Sequence, residues 1–588
     1  MTTQLDSPEL DTVAVEATAR QWLSHFADLL RTGAGAATVL HSDVWWRDLL
    51  ALSGDLRSLN GSTSIESLVA SAVEQHVRGE HLDPAAAPAL VPTLSGSMVQ
   101  LLFRFDTDLG HVRGVARLIF DDGAWRARNL LTALDTLTGH EPTTGEHRPD
   151  GAGDHPEYWS ARRTRELECH DGDPDVLVIG AGHSGLALAA QLGVLGVRTL
   201  LVDRADRVGD NWRGRYDSLV LHDAVWSNHL PLMPFPLSWP VFTPKDKMGD
   251  WLEIYSRALD LNVWTRSEIV ESTFDPAERR WTVVVDRDGT RRTLNPQHVV
   301  LATGLSGTEP VLPQFAGAES FAGDLLHSSR YRTEPARRGT RTVVIGTGNS
   351  GHDIAQDLYE SGAQVTLIQR GPTHVVSGHT LSDRGRMRYG EHTSTDVADL
   401  LDASAARLDP QFLAALRYGS AAMAEDDREL LDALAAKGFA LSDGVDGTGV
   451  MMLFLTRNGG YYIDVGASPL IADGSIGLVS GATVERLVSD GLILSDGTHV
   501  RADTIVCATG YRGILDTARR VLGDAVADAC GPVWDLDDEG ELQSVWRASG
   551  HDRFWIHGGN FMLVRNYSKY LALQITADLA GIALPTLD

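Results

Sequence analysis

Cysteine is nearly absent: Cys169, Cys507 and Cys530 are the only three in 588 residues, and no two are spaced as CxxC. That excludes a disulfide framework and a redox-active dithiol, and it fits a reducing compartment. Excess positive charge is missing too. With 51 Lys and Arg against 79 Asp and Glu, the net charge of −28 works against non-specific binding to nucleic acid or an anionic membrane. The longest apolar stretches are strand-length, and the C-terminal segment Tyr570–Leu587 carries Gln574 and Asp578, so no transmembrane helix is expected. The N-terminus, Met1-Thr-Thr-Gln-Leu-Asp6, lacks a basic region followed by an apolar core. This predicts no signal peptide and a cytoplasmic location. What remains is ordinary for a soluble globular protein, 43% apolar and 22% charged, at a length that suggests about three or four domains.

Two glycine fingerprints carry the information. Gly180-Ala-Gly182-His-Ser184-Gly185 follows the apolar run Val176–Ile179, and Gly346-Thr-Gly348-Asn349-Ser350-Gly351 follows Thr342–Ile345. Each reads as strand, tight turn and helix. The first glycine makes the turn, the second admits a pyrophosphate, the third packs helix on strand, and the helix N-terminus offers a positive dipole end. Two such units predict two dinucleotides, and hence flavin plus nicotinamide chemistry. The lack of a CxxC pair removes disulfide reductases, which share the paired fold.

An acidic partner separates the sites. Asp203, followed by Arg204, lies 23 residues after Gly180 at the end of Thr199–Val202, where a carboxylate binds a ribose 2′-hydroxyl. The equivalent position after Gly346 is Gln369, which is neutral, with Arg370 beside it. A guanidinium there welcomes a 2′-phosphate that a carboxylate would repel. FAD is therefore expected at the first site and NADPH at the second.

The periodicities divide the chain as follows. Residues 1–140 form a small α+β domain, with helices over Val13–Leu30 and Ser64–Val77 (capped by Thr63 or Ser64) and strands over Met98–Asp106, His111–Asp121 and Gly123–Ala133. Residues 141–173 are a linker, polar and Gly/Pro-rich over Gly139–Pro156. Residues 174–333 start the FAD domain, 334–500 form the NADPH domain with a helical insertion near 395–440, and 501–588 complete the FAD domain. The fold class is α/β, with two Rossmann-like domains behind the α+β unit.

Between the fingerprints stands Phe321-Ala-Gly323-Asp-Leu-Leu-His327-Ser-Ser-Arg-Tyr331. It resembles FxGxxxHxxx(F/Y), the identifying sequence of flavin-containing monooxygenases and plant YUCCA-type enzymes. Gly209-Asp-Asn211-Trp212, Ala302-Thr-Gly304 and Ala508-Thr509-Gly510-Tyr511 follow the same family order, so the resemblance covers about two thirds of the chain, residues 176–580. It implies a class B flavoprotein monooxygenase. NADPH reduces FAD, O₂ adds to give a C4a-hydroperoxide, and one oxygen passes to a small organic substrate by N- or S-oxygenation or by YUCCA-like oxidative decarboxylation of a 2-oxo acid. Baeyer–Villiger oxygenation is the alternative, against which Tyr331 weighs because those enzymes usually have Trp there. A non-catalytic flavoprotein sensor is the third reading.

The resemblance also assigns residues. His327 and Tyr331 couple nicotinamide binding to flavin reduction, and His222 stands where animal members carry a functional Asn. The sequence offers His222 no partner that would make it a general base. Ser184, Asn211, Trp212, Thr509, Gly510 and Asn560 join the cofactor sites, with Ser568 as cap of a terminal helix near Arg565. No metal is expected, and a homodimer is allowed for. Trp45-Trp46-Arg-Asp-Leu-Leu and Leu131-Thr-Ala-Leu make residues 1–140 resemble the SnoaL-like cone fold, with an interface or stabilising role and both tryptophans in its core.

Overall fold

The computed structural model describes residues 11–94, 96–151, 157–305, 308–334, 337–390 and 392–587. Part of the Gly139–Pro156 linker and the first ten residues lie outside these.

The first unit is α+β. Its seven-stranded sheet runs Leu56–Asn60, Leu40–Leu49, Ala124–Leu137, Gly110–Asp121, Gly96–Asp106 and Arg78–Leu82, with Ala89–Thr93 also paired to Gly96–Asp106. Only the pairing of Leu40–Leu49 with Ala124–Leu137 is parallel. Helix Thr12–Thr32 opens on Asp11, whose carboxylate accepts from the Ala14 amide at 2.8 Å, and stops at Gly33 in the left-handed region. Its buried face carries Val15, Ala19, Trp22, Phe26 and Leu30 at helical spacing. Trp22 stacks on Phe26, which meets the buried Trp46 at 5.4 Å. Trp45 is only half-buried. The second helix spans Ser62–Glu74 on N-cap Gly61, not Thr63 or Ser64. Four strands escaped the sequence reading: Leu40–Leu49, Leu56–Asn60, Arg78–Leu82 and Ala89–Thr93.

Buried ion pairs join this unit to the rest. Arg47 and Glu541, each 1% exposed, meet at 2.6 Å, and Arg407 reaches the same carboxylate at 2.9 Å. Burial works against the Glu541 charge, but Arg47 and Arg407 hold its pKa down to about 2. Arg128 and Asn129 bond Asp409, and Arg113 bonds Asp396. The N-terminal unit thus grips the helical insertion. Removing one member of such a pair costs ~3–5 kcal/mol because the other is left buried and charged.

Two all-parallel sheets follow. The first orders Asn262–Trp264, Thr199–Val202, Val176–Ile179, His298–Leu301 and Phe554–Ile556, with helices His183–Val194 and Phe561–Ala580 in its core cluster. The second orders Asp324–His327, Thr504–Cys507, Arg341–Ile345, Gln364–Gln369 and Gly477–Ser480. The strand order divides the chain differently from the sequence reading: Asp324–His327 and Thr504–Cys507 belong to the second sheet. An antiparallel meander is attached to each half, Ser267–Leu294 and Val484–Arg501. Between Gln369 and Gly477 lie a short parallel pair, His374–Ser377 with Tyr461–Asp464, and helices Gly378–Tyr389, Thr395–Ala403, Pro410–Asp426, Arg428–Ala436 and Val450–Arg457.

Candidate active site

The two turns are built alike. Val176–Ile179 is fully buried and runs into Gly180 at φ +106°, and Arg341–Ile345 runs into Gly346 at φ +113°. Both values lie where side chains are strained. A Cβ on Gly180 would stand 2.7 Å from the Ala302 carbonyl oxygen, and one on Gly346 would stand 2.4 Å from that of Ala508. A Cβ on Gly185 or Gly351 would lie 2.0 Å from the carbonyl oxygen of Gly180 or Gly346. Helices His183–Val194 and Asn349–Glu360 therefore start directly over their turns, with N-caps Gly182 and Gly348. Ser184 is buried, Asn211 is exposed with its amide beside Gly182, and Arg204 is exposed.

The strand-end partners diverge. The Asp203 carboxylate accepts from the Ala181 amide at 2.7 Å and the Ala205 amide at 2.8 Å, which ties it to the turn. Gln369 is fully buried. It donates to the Ala440 carbonyl and accepts from the Ala440 amide and the Ser480 hydroxyl. Arg370 is exposed at the strand end.

A cavity of about 680 Å³ lies where the halves meet. His183, Trp212, His222 and Asn560 line it from the first half, Asn349 and Ser350 from the second, and Arg384, Leu416, Met423 and Val450 from the insertion. The insertion anticipated near 395–440 thus supplies a wall, and helices Gly378–Tyr389 and Val450–Arg457 extend it on either side. Among the described residues, no group of three or more His, Cys, Asp or Glu could hold a metal ion.

His222 has the partner that the sequence did not reveal. Its Nε2 lies 2.9 Å from Asp353, seven residues after Gly346, and the Tyr216 hydroxyl donates to the same carboxylate at 2.6 Å. Burial opposes a charged imidazole, but Asp353 outweighs it and raises the His222 pKa above its ordinary value. No local signal links His222 to a residue 131 positions away; only the strand order brings them together.

His327 and Tyr331 do not line the cavity. The Ser329 amide donates to His327 Nδ1, so Nε2 carries the proton and donates to the Gly510 carbonyl at 3.0 Å. Burial lowers the His327 pKa despite that bond. Tyr331 is buried and donates to Asp357 at 2.7 Å. Both fasten the end of strand Asp324–His327 and the residues after it to the segment following Thr504–Cys507 and to helix Asn349–Glu360. The Thr509 hydroxyl donates to the Val311 carbonyl, which tightens the same junction. The terminal helix begins at Phe561, and its cap is Asn560, which accepts from the Leu563 amide at 3.0 Å. Ser568 is interior to that helix and bonds Val564 and His557.

Known proteins match this arrangement. Residues 173–386 fit the family model described as flavin-binding monooxygenase-like. "Indole-3-pyruvate monooxygenase YUCCA1" of Oryza sativa subsp. japonica is 30% identical over 355 residues, which span 60% of this chain and 80% of that protein. The chain belongs to the flavin-binding monooxygenase family. A YUCCA8 protein of Oryza sativa subsp. indica is 29% identical over 69% of this monooxygenase and 90% of its own length. A solved "oxidized steroid monooxygenase bound to NADP" shares the fold at TM-score 0.50 and 19% identity, over 69% of this chain and 85% of that one. No helix among the described residues of the monooxygenase is long and apolar enough to cross a membrane.

Proposed function

We propose that the chain uses FAD at the first fingerprint and NADPH at the second to insert one atom of O₂ into a small organic substrate held in the 680 Å³ cavity. The observation that carries this reading is that residues of both fingerprints, His183 of the first and Asn349 and Ser350 of the second, line one cavity beside turns too tight for a Cβ. The residues fit both groups. Beside the first turn, the Thr303 hydroxyl and Trp212 indole N–H are buried without a hydrogen-bond partner, and each would serve a polar cofactor edge. Gly180, Gly182, Ser184, Gly185 and Asp203 would hold the FAD pyrophosphate and ribose, and Asn560 would stand by the flavin. Gly346, Gly348, Asn349, Ser350 and Gly351 would take the second pyrophosphate, with Arg370 on the 2′-phosphate.

The bound flavin supplies the electron and oxygen chemistry. This chain's residues orient the reactants and exclude water: Trp212, Trp226, Phe454 and Met423 wall the cavity. Asp353 takes the His222 Nε2 proton and fixes the ring at the cavity edge, which leaves Nδ1 an acceptor in the neutral imidazole and a donor in the charged one. His327 and Tyr331 would hold the segment Asp324–Tyr331 against the second half. The reaction class is N- or S-oxygenation, or oxidative decarboxylation of a 2-oxo acid, since the relatives are named for indole-3-pyruvate. The first unit, read as SnoaL-like, braces the insertion, and the protein works in the cytoplasm.

The purified protein should show flavin absorbance that NADPH bleaches without air, and O₂ uptake on adding substrate. Absence of flavin, or flavin that NADPH leaves oxidised, would sink the reading.

A further inference from the structure

A second cavity, of about 370 Å³, lies where the N-terminal unit, the insertion and the terminal helix meet, and it shares no lining residue with the 680 Å³ cavity. Strand Gly110–Asp121 brings Arg113 to it, helix Thr395–Ala403 brings Asp396 and Asp399, and helix Phe561–Ala580 brings Arg565 and Lys569. Residues 229–234 supply a further side.

Its acceptors are taken and its donors are not. The three lining carboxylates each have a cation: Asp396 bonds Arg113 at 2.5 Å, Asp399 bonds Arg565 at 2.7 Å, and Asp135 bonds Lys569. Arg113 has a donor to spare. Its side chain is 7% exposed, Nε goes to Asp83 at 3.0 Å and Nη1 to Asp396, and Nη2 is buried without a partner. The charge of Asp135 acts on Arg113, but no hydrogen bond joins the two. A buried guanidinium N–H without an acceptor is destabilising on its own. His229 adds a second donor. The Phe235 amide donates to its Nδ1 at 3.1 Å, so the proton sits on Nε2. Burial and the charge of Arg565 hold the His229 pKa down to about 4, so the ring is neutral. Leu134, Leu230, Leu232 and Leu400 give the same cavity an apolar lining.

We propose that this cavity is a second binding site, which takes the carboxylate of a hydrophobic organic acid on Arg113 Nη2 and His229 Nε2, with the apolar body of the acid against the leucines. A single negative charge suits the place. The lining pairs three cations with three carboxylates, so a monoanion meets one spare charged donor and one neutral one. A phosphate dianion would set a second charge against Asp135, Asp396 and Asp399. The site is built without any residue of either glycine fingerprint, and it stands whether or not the monooxygenase reading does.

Equilibrium dialysis of the full chain against 4-phenylbutyrate and its neutral analogue 4-phenylbutan-1-ol tests this. The native protein should bind the acid at least about 10-fold more tightly than the alcohol. Arg113→Gln should raise the Kd of the acid by about 10–100-fold, as expected for loss of a charged hydrogen bond, and that of the alcohol by no more than about threefold. Arg113 also pairs with Asp83 and Asp396, so a second substitution guards against a folding defect. Gln191→Trp, on helix His183–Val194, fills the cavity from a side that holds no ion pair, and it should weaken both probes. An acid that binds no better than the alcohol would overturn the proposal. So would a Kd that Gln191→Trp leaves unchanged, or equal losses of acid and alcohol in a folded Arg113→Gln protein.

Discussion

The two halves repeat one turn and differ at one strand end. In the first, Asp203 binds the amides of Ala181 and Ala205, so the acid braces the loop that it follows. In the second, Gln369 makes three hydrogen bonds to Ala440 and Ser480, and so anchors the insertion to the sheet. The same position therefore serves the glycine turn in one half and the insertion that walls the cavity in the other. In the proposed reading, recognition of the second nucleotide's ribose would pass to the next residue, Arg370.

The largest effects should come from the shared turns. Gly180→Val places branched carbon against the Ala302 carbonyl at a φ that side chains avoid, and the protein should purify without flavin. Gly346→Val commits the same offence against Ala508. It should keep its flavin, which dithionite bleaches and NADPH does not. If Gly180→Val retained flavin, or Gly346→Val lost it, the assignment of the halves would be reversed.

Arg370→Ala tests the divergent position. Loss of a guanidinium–phosphate contact should raise the KM for NADPH by about 10–100-fold, with a much smaller change for NADH. Parallel changes in the two constants would remove Arg370 from the phosphate site. Gln369→Glu then probes the anchor. It replaces the donor to the Ala440 carbonyl by an oxygen, in a fully buried place. Stability should fall by about 2 kcal/mol in denaturant titrations; an unchanged midpoint would mean that the anchor relaxes without loss.

The repeated turns were legible because their chemistry is local: glycine spacing, an apolar strand before and a helix after. The helical insertion near 395–440 was legible for the same reason, through periodicity. What could not be read was whatever depends on long-range pairing. Gln369 looked like a failed ribose acid because Ala440 and Ser480 are 71 and 111 residues away. His222 looked partnerless because Asp353 is brought to it only when the second helix packs on the Tyr216 segment. Ser568 looked like a helix cap, but Asn560 takes that place and the helix starts earlier. In the N-terminal unit, strand Leu40–Leu49 buries Arg47 and Asp48 among its apolar residues, which spoils the alternation that marks a strand. Arg47 finds its partners far along the chain, in Glu541 and the Ala403 carbonyl, and Asp48 accepts from the distant Thr132 as well as from the nearby Leu52 and Ser53.

The smallest effect concerns histidines that the halves hold alike. His557 in the first and His352 in the second are both fully buried. Burial holds their pKa values down to about 3 and about 4. Unfolding releases each to an ordinary value near 6.5. Between that value and about pH 4 the unfolded chain binds the extra protons, so stability falls as pH falls, with a slope approaching ~1.4 kcal/mol per pH unit for each histidine. His222 behaves oppositely: its folded pKa is raised, so its contribution is complete below 6.5 and is lost as pH rises through the folded value. Urea titrations at pH 6.5, 5.75 and 5, above most carboxylate titrations, should therefore give falling midpoints. Burial also holds down His183, His229, His298, His327 and His374, so His352→Gln should reduce the slope by one histidine's share, and a slope unchanged by that substitution would show that the second half does not hold its histidine neutral as the first does.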